Sequence, residues 1–221
     1  MQIFDIPINS KRMETTRIGT FDFPLAVHKN DLKKNVLGFV NWHWHYEFQL
    51  TYVVRGTISV FFNQQTIDLH EGQGIYINPE VLHMIRDRYD SDAMFISLDV
   101  SPKLLTSFPN SVFERSYARP VFRSPAADVV VLDPQVPWQK KILDEAISIE
   151  QDYKSRSFGW ELAVSSSLYA IWKELVCHLQ ESLAEHDAPA ADGARLRRNH
   201  RIKEILAYIR EHFADKITLD E

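Results

Sequence analysis

The run Asn41-Trp42-His43-Trp44-His45-Tyr46-Glu47-Phe48-Gln49-Leu50 alternates polar and large apolar side chains without interruption. A period of two belongs to an extended strand, so His43, His45, Glu47 and Gln49 share one face. Trp42, Trp44, Tyr46, Phe48 and Leu50 form the other. That face carries too much apolar surface to be left in water, so it packs in a core or under other elements. The histidine face then looks either to solvent or into the lumen of a barrel.

The surrounding chain supports the closed arrangement. Residues 21–28, 39–54, 57–62, 74–78, 93–100 and 129–132 read as strands. They are punctuated by Arg55-Gly56, Asn63-Gln64-Gln65, Glu71-Gly72 and Asn78-Pro79. Short strands separated by turns, with no helix-length periodic segment between them, predict a sandwich or barrel rather than alternating β-α units. After Pro137 the period changes. Trp138, Ile142, Ala146, Ile149 and Tyr153 recur at helical spacing, and Gly159 ends that helix. Leu168, Trp172, Leu175, Leu179 and Leu183 line one face of a second helix. The pair reads as an antiparallel hairpin whose second stripe is a candidate homodimer interface. On that reading Leu175→Asp or Leu179→Asp yields a monomer with the barrel intact.

Beyond the hairpin the composition turns small and polar, as in a linker. A basic run follows at Arg195, Arg197, Arg198, Arg201 and Lys203, and then a third helical stripe, Ile202, Ile205, Leu206, Ile209 and Phe213. Thr218 with Glu221 is a capping-box signature, a helix start at which the chain stops, so the sequence reads as truncated. The expected organisation is a barrel over 1–134, a helical dimerisation region over 135–186, a linker over 187–200 and the start of a further domain over 201–221.

With 25 basic and 30 acidic residues the chain carries −5, which excludes a strongly basic nucleic-acid binder on average. Cys177 has no partner for an intramolecular disulfide and reads as a small buried hydrophobe. No segment approaches the roughly 18 apolar residues of a membrane span. A soluble, cytoplasmic protein with no membrane partner is the expectation. No Ser-His-Asp, Cys-His or phosphate-loop pattern stands at useful spacing.

Two histidines at i and i+2 on one strand aim their imidazoles at a common point, and His83, after Asn78-Pro79, is the natural third. Two readings stay open. In one, His43, His45, Glu47, Gln49 and His83 line a polar pocket that binds an organic ligand, with no metal and no cofactor. In the other, His43, His45 and His83 hold a metal, with the neutral amide of Gln49 as a weak fourth ligand. Glu47 could take that place only if the strand bends.

These residues carry a resemblance. Gly38, His43, His45, position 49 and Gly56 resemble the first cupin motif, with Gln49 where an acid is usual. Gly72, Pro79 and His83 resemble the second motif in the form common to AraC-type regulators. The run from Arg201 to Glu221 is similar to the first helix, and the beginning of the second, of the AraC-type DNA-binding domain. The resemblance implies a mostly β fold: a cupin-like double-stranded β-helix barrel, an antiparallel α-helical hairpin and the first helix of a helix-turn-helix domain. It implies a non-enzyme that binds a small-molecule effector in the barrel, pairs as a homodimer, and engages promoter DNA in the full-length protein only. A metal-dependent cupin enzyme, an oxygenase or isomerase, is the alternative.

Overall fold

The computed structural model describes residues 6–185, together with Arg201, Glu204, Ile205 and Tyr208, which are helical; side chains of the last long helix are described as far as Glu181. The strands in chain order are β1 (Leu25–Asp31), β2 (Phe39–His43), β3 (Phe48–Arg55), β4 (Thr57–Phe62), β5 (Gln65–His70), β6 (Gly74–Ile77), β7 (His83–Asp87), β8 (Met94–Val100) and β9 (Val129–Leu132). They form two antiparallel sheets, ordered β1-β8-β3-β6-β9 and β2-β7-β4-β5. This is the strand order of a two-sheet jelly roll, the architecture of cupins, with β9 added at one edge.

The five-stranded sheet is buried on both faces, and alternation decides which side chain goes where. In β8, Ile96, Leu98 and Val100 pack toward the helices, while Phe95 packs between the sheets. In β3, Phe48 and Leu50 join the helix-side core, while Gln49 lines the lumen. The four-stranded sheet contributes Val40, Ile58, Val60, Phe62, Leu69 and Ile85 to the core between the sheets.

Two long helices cover the outer face of the five-stranded sheet. Pro137 occupies the first turn of α3 (Pro137–Ser155), where its missing N–H loses nothing, and Arg156 closes that helix in the left-handed region. The second is α4 (Trp160–Glu185). They run antiparallel: Tyr153 meets Trp160 at one end, and Trp138 stacks on His178 at the other, centroids 4.6 Å apart. The segment between β8 and β9 folds as short helical turns, α1 (Lys103–Thr106), the turn Phe113–Ala118, α2 (Arg119–Arg123) and the turn Pro125–Ala127.

Several sequence expectations are corrected. The Leu168, Trp172 and Leu175 stripe does not form an open dimer face. All three are buried in this chain's own core, Leu175 fully, and Leu179 packs beside them. The Trp172 ring sits 5.5 Å from Phe48 and 5.0 Å from Phe122, so the barrel itself absorbs the stripe. The Leu183 side chain lies outside the described residues, as do the linker expected over 187–200 and most of 201–221. Cys177 is exposed, not buried. Strands β5 and β7 went unread because their polar alternation, Gln65 to His70 and His83 to Asp87, carries few apolar residues. Among the described residues no helix is long and apolar enough to cross a membrane.

Candidate functional site

The expected single strand over 39–54 is broken. Val40 pairs with Ile85, but His43 pairs with His83, so one extra residue sits in β2 as a bulge. A one-residue slip reverses which face each later side chain takes. The bulge thereby puts His43 on the same side as Val40, the side of the lumen. After His43 the chain leaves the strand until Phe48, which scatters the expected aromatic face. Trp42 lies against Phe61, edge to face, Tyr46 is exposed, and only Phe48 and Leu50 reach the helices. Trp44 is buried beneath the N-terminal segment, its indole N–H donating to the Lys11 carbonyl at 2.8 Å.

His43, His45 and His83 are brought together. One ring nitrogen from each lies within 4.8 Å of the others, and all three residues are buried. Their orientation is fixed from behind. His43 Nδ1 faces the Asn41 carbonyl at 2.8 Å, His45 Nδ1 the Glu47 carbonyl at 2.9 Å, and His83 Nδ1 the Val81 carbonyl at 2.9 Å. A carbonyl can only accept, so each Nδ1 carries the proton and each neutral ring presents Nε2 as a bare lone pair. His45 Nε2 and His83 Nε2 are buried with no hydrogen-bond partner.

The electrostatics keep the rings neutral. Burial, reinforced by the neighbouring His83 and His45, holds His43 well below its ordinary range. Burial and the nearby His83 push His45 down to about 3, and burial pushes His83 down to about 4. Neutral imidazoles with Nδ1 anchored on carbonyls are in the form that ligates transition metals.

The carboxylates are placed less simply. Glu47, in the break between β2 and β3, is half-buried, and its carboxylate turns back onto the backbone N–H groups of Tyr46 and Glu47. Burial raises its pKa. Gln49 is buried and hydrogen-bonds Asp99, leaving its Oε1 without a partner. The acid that does approach the histidines is Glu14, whose Oε2 lies 3.9 Å from His43 Nε2. Burial, with Asp99 nearby, pushes Glu14 up to about 7. Asp99 is likewise raised to about 7 by burial and by Glu47, with His28 Nε2 at 3.5 Å. Glu14, His28, His43 and Asp99, with Asn30, Ser97 and Gln49, line a cavity of about 20 Å³, the room of a single water or ion.

Sequence reasoning missed Glu14, His28 and Asp99. Glu14 lies in a segment with no periodicity, and only its pairing with Trp44 puts it at the site. Asp99 and His28 alternate with apolar neighbours in β8 and β1, a polar-in pattern that was there to be read.

The chain is similar to several known proteins. A family profile described as "AraC-like ligand binding domain" matches residues 35–171. The "Uncharacterized HTH-type transcriptional regulator YdeC" of Bacillus subtilis (strain 168) is 31% identical over 221 residues, spanning 100% of this chain and 72% of that protein. Among solved structures, a cupin-2 domain containing protein from Shewanella frigidimarina aligns at TM-score 0.29 and 21% identity, over 38% of this chain and 74% of the other. A predicted oxalate decarboxylase from Thermotoga maritima aligns at TM-score 0.30 and 20% identity, over 35% and 65%.

Proposed function

The chain belongs to the AraC-like ligand-binding family, and from that premise we propose that its effector site is the cluster of His43, His45 and His83, occupied by one divalent transition-metal ion. The sensing half of a transcription regulator needs a site whose occupancy changes the relative stability of two arrangements of the molecule. The observation that carries the metal reading is the pair of orphaned, fully buried Nε2 atoms on His45 and His83. A buried acceptor without a partner costs on the order of 1–3 kcal/mol. These two lone pairs and that of His43 Nε2, gathered within 4.8 Å, are satisfied together by a single cation. Imidazole nitrogens suit zinc, copper, iron and nickel. The ion would supply a fixed positive charge where the protein supplies only acceptors. The cavity of about 20 Å³ on the Glu14 side of His43, which His45 and His83 do not line, has no room for a sugar or an aromatic acid.

Strand β3 is the structural link from site to helices. Its Gln49 lines the lumen beside His43, while the adjacent Phe48 packs on Trp172 of α4. We read the protein as a sensor and not an enzyme. Promoter DNA and a second copy of the chain are its partners in the full-length regulator, which is cytoplasmic.

The test uses the chain purified without an affinity tag and stripped with a chelator. Calorimetric titration with Zn2+, Co2+, Ni2+ and Fe2+ under anaerobic conditions is expected to show one ion per chain for at least one of them. Absence of stoichiometric binding by all four removes the metal reading and returns the site to an organic effector.

A further inference from the structure

The histidine cluster is made of neutral groups, yet a buried acid stands against it. Glu14 Oε2 lies 3.9 Å from His43 Nε2, with the two side chains 7% and 3% exposed. His43 Nδ1 donates to the Asn41 carbonyl, so His43 Nε2 faces Glu14 as an acceptor. With Glu14 ionised the two are acceptors facing each other in a buried site, an arrangement that a cation between them satisfies. The charged groups that act on Glu14 are Asp99, His28 and Glu47, two of them acids, so the surroundings add to that demand.

We propose that Glu14 is the anionic ligand of the ion held by His43, His45 and His83, so that metal binding fastens the segment 6–15 onto the barrel. The proposal rests on the metal reading above. Gln49, the neutral residue of β3 beside the cluster, hydrogen-bonds Asp99 and brings no charge to an ion. Glu14 brings that charge from outside the barrel strands. Its position follows from backbone pairing to Trp44, the residue between two of the histidines. Met13 bridges Trp44 in parallel, Glu14 N–H donates to the Trp44 carbonyl at 2.9 Å, and Trp44 N–H donates to the Arg12 carbonyl at 3.0 Å. The Trp44 indole adds its bond to Lys11, and the Asn9 side chain accepts from the N–H groups of Lys11 and Met13. Ile6, at the other end of the segment, is buried and lines the same cavity. Two ligands held 2.0–2.2 Å from one tetrahedral ion stand about 3.4 Å apart; Glu14 Oε2 stands 3.9 Å from His43 Nε2 and outside the 4.8 Å cluster of the three histidines, so it joins their ion by a side-chain shift toward His45 and His83.

The same link runs in both directions. If the ion holds Glu14, it holds the segment, and loosening the segment weakens the ion. A carboxylate that is only a structural neighbour of His43 would leave the affinity unchanged and slow exchange in the segment no more than elsewhere in the fold.

The experiment uses the untagged, chelator-stripped chain with Zn2+ measured by calorimetry and Co2+ by its visible absorption. Hydrogen exchange is followed at the amides of Asn9, Glu14 and Thr15, with and without Zn2+. Glu14→Gln is expected to weaken Zn2+ binding by roughly a hundredfold and to change the Co2+ spectrum, while Glu14→Asp restores part of the affinity. In the unmodified chain Zn2+ is expected to slow exchange at the three amides. Equal Zn2+ affinity in Glu14→Gln, with exchange over 9–15 indifferent to the ion, overturns the role of Glu14 and leaves the three-histidine site standing. No Zn2+ or Co2+ binding in the unmodified chain overturns both. Should Glu14→Gln fail to fold, the exchange measurement on the unmodified chain decides, with the paired amides of β4 and β5 as the reference for general stabilisation by the ion: slowing at Asn9, Glu14 and Thr15 no greater than there overturns the role of Glu14.

Discussion

His83 stands directly across from His43 in the pairing of β2 with β7, and their ring centroids are 4.2 Å apart. Neither residue is near the other in sequence, and the pairing exists only because the bulge after Val40 adds a residue to one strand. Two neutral rings at that distance, each anchored on a carbonyl, form an oriented pair beside which a metal ion could be held.

The first prediction concerns that pair. His83→Ala is expected to lower Zn2+ affinity by roughly a hundredfold or more, since it removes a ligand and not merely its support. The unmodified chain, at an ion concentration about a hundred times its dissociation constant, gains about 3 kcal/mol of stability by linkage. Thermal melts with and without Zn2+ are expected to show a metal-dependent rise in Tm that His83→Ala abolishes. A rise of equal size in the variant would place the ion elsewhere.

Leu175 provides the second. The sequence reading makes Leu175→Asp a dimer-breaking change with the barrel intact. In the structure Leu175 has no exposed surface and sits among Val164, Ile171 and the barrel residues beneath α4. An aspartate there is a buried, unpaired charge, and the expected loss is at least about 3 kcal/mol of folding stability. Leu162, 77% exposed on the same helix, is the control: Leu162→Asp is expected to change stability by no more than about 0.5 kcal/mol. Circular-dichroism melts of the two variants separate the outcomes. A cooperative, unshifted melt for Leu175→Asp would contradict the packing.

The third uses pH. Asp99 is buried, and burial raises it from the ordinary 3.8 to about 7. In the unfolded chain it ionises near its ordinary value, whereas in the folded chain it keeps its proton to about pH 7. Between those values the folded state binds more protons, so stability falls as pH rises through the window and stays low above it. Asp99→Asn removes the titration. In chelator-treated protein, the Tm of the variant minus that of the unmodified chain is expected to grow more positive from pH 4.5 to pH 8. The growth is on the order of a few kcal/mol in stability. A difference independent of pH would mean that Asp99 is ionised throughout.

A fourth tests the seam between barrel and helices. A Cβ added at Gly74 would lie 2.5 Å from the Thr51 carbonyl oxygen and 2.7 Å from Leu143 Cδ2. The first of these is backbone in the neighbouring strand and cannot step aside. Gly74→Ala is therefore expected to cost about 1–3 kcal/mol, read as a lower midpoint in urea. An unchanged midpoint would contradict the close approach of β6 to the Thr51 carbonyl of β3.

Much of this molecule is legible from local pattern. The helices over α3 and α4 follow from apolar residues at helical spacing, and strands β4, β6, β8 and β9 follow from β-branched and apolar runs between turns. The three histidines stand out as a set from residue type, but the alternation that brings them together in the sequence reading does not hold, since His43 follows a bulge and His45 lies outside the strands. What failed to read is instructive. Strands β5 and β7 are short of apolar residues, and their strand character comes from pairing with β4. The Leu168, Trp172, Leu175 stripe is visible, but a stripe does not say what it packs against.

The sequence by itself determined the fold class and the chemical character of the site, because periodicity and residue type are local properties that each segment carries alone. Only the tertiary structure decided that the helical stripe closes on its own barrel and that Glu14 meets His43. It alone decided that a bulge, not strict alternation, turns His43 into the lumen. Those outcomes depend on register and on contacts between segments far apart in the chain, where one extra residue reverses a face and a non-periodic segment is placed by whichever strand it pairs with.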